Sequence, residues 1–529
     1  MTGTGIPTAG RREWIGLAVI ALPCLLYSMD LSVLYLALPS LTADLHPSSA
    51  QLLWISDIYG FMLAGFLITM GTLGDRIGRR RLLLIGAATF GAASVLAAFA
   101  TSVAMLIAAR ALLGIAASTL APSTLSLIRN MFLDPRQRTI AIGIWVTSFS
   151  LGAAVGPALG GLLLHFFWWG SVFLIAFPVM ALLLVLGPVL LPEFRNPDPG
   201  RFELASAALS LVSVLAIVYG VKALAEHGFG PVSALSFAGG SAVGLAFLRR
   251  QRTLAQPLVD LRLFHRPAFT VALIANTLSL FLVFGTFFLV AQYLQLVLGF
   301  SPLRAGLWSA PSSLGFIAGS LLAPALMRRR GPGNTMAYSL AIAATGLTLL
   351  ARLPAHSGHG LALAVAGTTL LALGVSPVVT LATNLIVGAV PAERAGVASG
   401  LSETGTELGG ALGIALLGSI ATAVYRSQLH TAFPTSARPQ TLDAAALIAA
   451  GLPQHLGAPL LDAARDAFTQ GLHLAAIVSA TIAVLLAVLA PTGLRRVQEG
   501  PEREPDPSPR KPDHLRTAPA AQAQPCGNG

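Results

Sequence analysis

The chain has 529 residues, of which 55% are hydrophobic and only 10% charged, with a formal net charge of +11. A mean hydropathy of +0.75 excludes an ordinary soluble domain. The basic excess does not read as a nucleic-acid surface, because most of it falls in loops between apolar runs. Those runs are roughly 18–25 residues each, long enough to cross a ~30 Å hydrocarbon core. In chain order they place spans at about 15–39, 51–72, 82–100, 103–128, 139–163, 169–191, 204–221, 232–248, 269–292, 303–327, 335–352, 361–389, 396–424 and 470–492. An all-α polytopic membrane protein with 14 transmembrane helices is expected. The first run is long and continuous from Trp14, with no small-residue cleavage site after it, so it reads as a span rather than a signal peptide. Cys24 in the first span and Cys526 in the tail imply no disulfide framework.

Loop arginines set the orientation. With residues 1–14 cytoplasmic, the inner segments collect Arg11, Arg12, Arg76, Arg79, Arg80, Arg81, Arg129, Arg136, Arg138, Arg195, Arg249, Arg250, Arg262, Arg266, Arg328, Arg329, Arg330 and Arg394. The outer loops hold few cations, among them Lys222, Arg304 and Arg352. An even number of spans then puts both termini inside. The outer loop 425–469 is long and contains an amphipathic stretch, Leu442–Leu452. The tail 497–529 is rich in proline and charge and is expected to be disordered.

An offset of 257 residues aligns Gly143, Gly152, Gly156 and Gly161 with Gly400, Gly409, Gly413 and Gly418. The fifth and thirteenth spans are therefore expected equivalents in two six-helix halves, 15–191 and 269–492. Spans seven and eight, 204–248, form an inserted pair. Duplicated halves around a midplane site are a transporter design.

Five charges fall inside the apolar spans: Asp30, Asp57, Arg110, Glu403 and Glu407. A lone charge at a bilayer centre costs at least ~2.5–3.5 kcal/mol, so each marks a partner or a function. Counted along their helices, Asp30, Asp57 and Arg110 fall ~9–14 Å below the outer surface. That depth allows one outward layer in which Arg110 pairs with an aspartate. Glu403 and Glu407 enter from the cytoplasmic side and, four residues apart, share one helix face. Two carboxylates so placed resist ionising together, and one that keeps its proton can trade it for a cation. Nearby aromatics (Tyr35, Trp54, Tyr59, Trp145) offer cation–π contacts.

Three strings carry more specific information. Between spans two and three stands Gly71-Thr-Leu-Gly-Asp75-Arg76-Ile-Gly78-Arg79-Arg80-Arg81. Its glycines permit a tight turn, and Asp75 can accept from a neighbouring helix end. Span four carries Arg110-Ala-Leu-Leu-Gly114. Span five carries Gly152-Ala-Ala-Val-Gly156-Pro157-Ala-Leu-Gly160-Gly161, small residues that let helix backbones touch, with a proline that opens a kink. These strings resemble the loop signature, arginine motif and exporter motif of the major facilitator superfamily. With Ser28-Met29-Asp30 and Trp54-Ile55-Ser56-Asp57, the chain resembles the fourteen-span drug:proton antiporters that export quaternary ammonium and other lipophilic cations.

The resemblance implies a major facilitator fold, with Gly71, Asp75, Arg76, Gly78 and Arg79 closing an inner gate and Arg110 taking part in proton transfer. It implies that the Gly152/Gly156/Pro157/Gly160/Gly161 segment shapes the direction of exchange. Two departures stand out: the second-half turn Met327–Gly331 lacks the gate acid, and 303–327 lack the further acid that some members carry. The expected activity is proton-coupled efflux of lipophilic, mostly cationic drugs across the cytoplasmic membrane. The expected partners are small lipophilic molecules, protons and membrane lipids; no nucleic acid, cofactor or metal is expected, and the chain is read as a monomer. The alternatives are an exporter dedicated to one endogenous metabolite or antibiotic and, against the span-five motif, an importer. An enzyme is disfavoured: His165, His227, His356 and His359 sit in outer loops without metal or nucleophile spacing, and no phosphate-binding GxxxxGK[ST] loop occurs.

Overall fold

The computed structural model of the protein describes residues 8–47, 49–195, 204–227, 230–254, 257, 259–355, 358–391, 394–432 and 442–498. These form helices throughout, with no strand among the described residues. In chain order they are α1 (Arg11–Leu45), α2 (Ser49–Ile77), α3 (Arg79–Ala98), α4 (Val103–Met131), α5 (Pro135–Phe166), α6 (Ser171–Leu174), α7 (Ala176–Leu190), α8 (Leu204–His227), α9 (Pro231–Thr253), α10 (Pro267–Gln292), α11 (Pro302–Arg330), α12 (Pro332–Leu350), α13 (Gly360–Gly388), α14 (Ala395–Ala432), α15 (Leu442–Gly451) and α16 (Gln454–Gln498). Helices α5, α9, α10, α11 and α12 open on proline, whose fixed φ suits a first turn. Ser102, Asp134 and Ser301 cap α4, α5 and α11 by accepting from backbone N–H groups.

Each apolar run read from the sequence lies in a helix, α6 and α7 sharing one run. Among the described residues, 11 stretches are long and apolar enough to cross a membrane, and α5, α8 and α12 are not among them. Large apolar side chains such as Leu235 (73% exposed) and Phe166 (67%) face outward, as lipid-facing positions do. The outer loop 425–469 differs from expectation. Helix α14 continues to Ala432, α15 takes the amphipathic stretch, and α16 is a single helix of 45 residues rather than a span beginning near 470. The segment is alanine- and leucine-rich, a composition that favours helix even outside lipid. Residues 433–441 and the tail from 499 onward lie outside the described residues.

The helix pairs repeat. In the first half α1 packs on α5, α2 on α4, α3 on α4 and α3 on α7. In the second, α10 packs on α14, α11 on α13, α12 on α13 and α12 on α16. Across the middle, α2 meets α14 as α5 meets α11, and α4 meets α14 as α5 meets α13. The aligned glycines sit at matching crossings. A β-carbon on Gly152 would collide with the Leu25 backbone of α1, and one on Gly409 with the Thr277 backbone of α10. One on Gly143 would stand 3.1 Å from Ser320 O of α11, and one on Gly400 2.9 Å from Leu67 O of α2. Helices α8 and α9 pack on each other, with α8 set against α2 and α14.

Gly152→Val and Gly409→Val should each force a helix pair apart and lower stability by about 1–3 kcal/mol. Gly161 is exposed, with nothing within 4 Å of a β-carbon there, so Gly161→Val should leave the melting temperature of the purified protein near wild type. Equal melting shifts for all three variants would refute this assignment of the packing.

Candidate substrate and coupling site

Helix α4 can press against α2 because Gly114 has no side chain; a β-carbon there would strike the Tyr59 carbonyl and crowd Met62. One turn earlier on the same face, Arg110 therefore reaches the α2 backbone. Its Nε donates to Ile55 O at 3.1 Å and its Nη1 to Asp30 Oδ2 at 2.8 Å. The guanidinium lies 5.0 Å from the centroid of the Tyr59 ring. Arg110 is fully buried and Asp30 nearly so. A charge so buried is tolerable only with such partners; truncating Asp30 to alanine would leave Nη1 with no acceptor, a loss of about 3–5 kcal/mol for buried pairs, whereas asparagine keeps an acceptor oxygen there. Of the two aspartates open to Arg110 on sequence grounds, Asp30 is the one seen to pair. The side chain of Asp57 lies outside the described residues.

The acids of α14 do not stand apart from this pair. Tyr27, three residues before Asp30 on α1, donates its hydroxyl to Glu407 Oε1. The Tyr27 and Tyr59 rings are 6.4 Å apart between centroids. A continuous string thus runs Asp30–Arg110–Tyr59–Tyr27–Glu407, from one half into the other. Glu403, one turn before Glu407, is 6% exposed and within electrostatic range of Glu407 and Cys24. Trp145 and Phe149 of α5 close the side, with Phe149 edge-on to Tyr27 at 5.5 Å and to Trp145 at 4.7 Å. Trp145 Nε1 donates to Thr124 Oγ1 at 3.0 Å. Two carboxylates beside several aromatic faces make a setting chemically suited to an organic cation. Trp54 is not part of it: it is 45% exposed and packs on Phe61. The side chain of Tyr35 is outside the described residues.

At the arginine-rich end, α2 and α14 touch backbone to backbone. Gly71 and Gly396 each leave no room for a β-carbon because the other's carbonyl stands there. Asp75 Oδ1 accepts from Gly396 N at 3.1 Å and pairs with Arg79, both side chains being almost wholly buried. The carboxylate therefore meets the N-terminal turn of α14, where free N–H groups favour an anion. Arg76 ends α2, partly buried. Gly78 adopts φ +110°, a left-handed region that favours glycine, and a β-carbon there would run into Glu193. Glu193 receives the Arg80 and Arg81 N–H groups at 3.1 and 3.2 Å, capping α3 from beyond the end of α7.

The second half lacks the gate acid, and α5 is held against α13 and α11 by other contacts. Arg138 Nε donates to Asn384 Oδ1 at 2.9 Å, and Asn384 Nδ2 donates to Thr139 Oγ1 at 3.1 Å. Ser320 Oγ donates to Gly143 O and meets Thr380 Oγ1, both at 2.9 Å. In span five, Gly160 lies against Val33 of α1 and Gly156 is buried. Gly161 faces open space, and the side chain of Pro157 is outside the described residues. No group of three or more His, Cys, Asp or Glu able to hold a metal occurs among the described residues.

Comparison with known proteins identifies the family. The family model described as "Major Facilitator Superfamily" matches residues 20–414. The chain belongs to the major facilitator superfamily. Among curated members, it is 43% identical over 502 residues to "Multidrug efflux pump LfrA" of Mycolicibacterium smegmatis, covering 93% of this chain and 99% of that one. It is 35% identical over 494 residues to "Methyl viologen resistance protein SmvA" of Salmonella typhimurium, covering 90% and 97%. It is 31% identical over 520 residues to "Tetracenomycin C resistance and export protein" of Streptomyces glaucescens, covering 94% and 95%. The fold is similar to the crystal structure of the human organic anion transporter MFSD10, with a TM-score of 0.58 at 16% identity, over 90% of this chain and 99% of that one.

Within this major facilitator chain, the residues that sequence reading passed over are Tyr27, Glu193, Asn384 and Ser320. Tyr27 had one available signal, its place on the helix face of Asp30. Asn384 and Ser320 carried none, since a buried amide and a buried hydroxyl look alike wherever they fall in an apolar run.

Asp75→Asn should weaken both the Arg79 pair and the contact with α14, loosening the arginine-rich end. A cysteine placed at Ser399, which is fully buried and 3.4 Å from Ser126, should then label faster with a thiol reagent. A rate unchanged from the parent would remove Asp75 from the closure.

Proposed function

We propose that this protein is a proton-coupled exporter of lipophilic, mostly cationic compounds, working by alternating access between two six-helix halves, 15–191 and 269–492. The observation that carries the reading is the string from the buried Asp30–Arg110 pair to Glu407 across the boundary between halves. Acids in the first half and acids in the second share one polar core, as exchange of a proton for a cation requires. The names of the relatives, two of them multidrug-efflux or methyl viologen resistance proteins and one a tetracenomycin C resistance and export protein, support the same reading.

In this scheme all 14 apolar runs cross the cytoplasmic membrane, with 204–248 as an inserted pair, both termini inside, and the chain acting as a monomer. Protons enter from outside at Asp30, Asp57 and Arg110. A cation entering from the cytoplasm displaces a proton held at Glu403 or Glu407, and the halves rock. Gly71, Asp75, Arg76, Gly78 and Arg79 close the cytoplasmic end between cycles, and Gly152, Gly156, Pro157, Gly160 and Gly161 guide α5 against α1 during the movement. The tetracenomycin relative favours a second reading, an exporter dedicated to one antibiotic.

Inverted membrane vesicles with an imposed proton gradient separate the two. Quaternary ammonium compounds should dissipate the gradient, whereas silence across a broad cationic panel, with a response to a single antibiotic, would favour the dedicated exporter. Asp30→Asn should abolish exchange at normal expression, and retained exchange would assign Asp30 to structure alone. Glu407→Gln should lose some substrates and keep others. Behaviour identical to wild type would take Glu407 out of the site.

A further inference from the structure

We infer that Tyr27 is a positioning residue that sets substrate affinity: its hydroxyl occupies the Glu407 carboxylate when no cation is bound, and an entering cation must displace it. The inference rests on the exporter reading, since Glu407 must meet the cation. Three observations support it beyond the hydrogen bond itself.

Tyr27 belongs to α1 and Glu407 to α14, so the bond spans the boundary along which alternating access must separate the protein. Its other side is held. The Tyr27 ring is 8% exposed and lies edge-on to Phe149 at an interplanar angle of 81°, while Phe149 lies against Trp145 and Trp145 is fixed by Thr124. A phenol anchored this way presents its hydroxyl in one direction, so it acts as a fixed donor. Finally, Tyr59 is fully buried, and its hydroxyl has no hydrogen-bond partner. The Tyr59 ring, 6.4 Å from that of Tyr27 between centroids and with Arg110 over its face, is the neighbouring phenol on the first-half side.

The chemistry is a competition. A donor to an ionised carboxylate is worth more than a donor to a neutral acceptor, so Tyr27 holds Glu407 most firmly when that carboxylate is charged and empty. A lipophilic cation brings a charge of its own and takes over the carboxylate. The hydroxyl loses its partner in the second half, and a hydrogen bond between α1 and α14 is broken at the moment the substrate arrives. Tyr27 is thus a gatekeeper of affinity and a connection between substrate binding and movement of the halves. Its loss should make binding tighter and transport slower.

The test uses the full-length protein, with tetraphenylphosphonium as the cation. Binding is measured by calorimetry on purified protein and exchange in proteoliposomes. Tyr27→Phe keeps the ring and removes the hydroxyl. It should bind tetraphenylphosphonium roughly tenfold more tightly, about the equivalent of one hydrogen bond to a charged group, while the maximal exchange rate falls. In a Glu407→Gln background the same change should add no further tightening, because the two residues act as one pair. A merely structural role would weaken binding or lower yield, and neither result gives this split. Unchanged or weaker binding by Tyr27→Phe, with wild-type exchange intact, overturns the inference and leaves the exporter reading standing. Silence from the wild type overturns both. If Tyr27→Phe does not fold, Phe149→Leu, which loosens the ring from the side, should tighten binding in the same direction by a smaller factor; no tightening there is equally fatal.

Discussion

A guanidinium with no access to water has to find its hydration shell in protein, and the first half of this chain is arranged around that requirement. Arg110 obtains a carboxylate from α1, a backbone carbonyl from α2 and an aromatic face from α2, and it obtains them only because Gly114 lets α4 lie flush on α2. Each partner is thereby fixed in turn. Asp30 sets the rotation of α1, which turns Tyr27 toward α14. Ile55 and Tyr59 set the rotation of α2, whose far end delivers Gly71 and Asp75 to the start of α14. The helices that hold this buried charge are thus the ones that meet the second half, α1 at Glu407 and α2 at Gly396. The balance is narrow, since such a pair contributes little net stability when intact and costs several kcal/mol when broken.

The seam between halves is built from repeated parts used unequally. Glycines 257 residues apart serve matching helix crossings, so the two halves share a backbone solution to close packing. What was laid on that backbone has diverged. At one crossing an aspartate meets a helix N-terminus and a buried arginine. Between α5 and α13, an asparagine meets a hydroxyl and a partly buried arginine. Geometry was retained while the chemistry was exchanged, which is what a duplicated transporter needs if its halves are to move together but respond to different ligands.

Much of this could be read from the residues. Apolar run length located the helices, and the rarity of charge in those runs picked out Arg110 and Asp30, because burial without pairing is too costly. The glycine offset pointed to residues of α5 and α14 that stand at close helix crossings. What stayed hidden has physical causes. Counting residues along each helix placed Glu407 apart from the Asp30 layer, yet depth along an axis says nothing about which face of α1 looks at α14. The neutral seam was invisible because hydrogen bonds between amides and hydroxyls leave no charge anomaly in a composition. The extended α14 and α16 were missed because hydropathy marks where lipid ends and not where a helix ends. Gly161 belongs to a recognisable string but faces open space, so membership of a pattern did not guarantee a packing role for each letter in it.

The unequal seams have a consequence for how the closed end yields. Separating α2 from α14 returns an almost dry ion pair to water, and hydration repays much of what burial cost. Separating α5 from α13 breaks the bonds of one amide to a hydroxyl and to a partly buried arginine. Salt and proton concentration at that surface act on the first edge through its carboxylate. The two edges are therefore held by unlike chemistry, and the solution bathing the arginine-rich face bears most directly on the one that contains the Asp75 carboxylate.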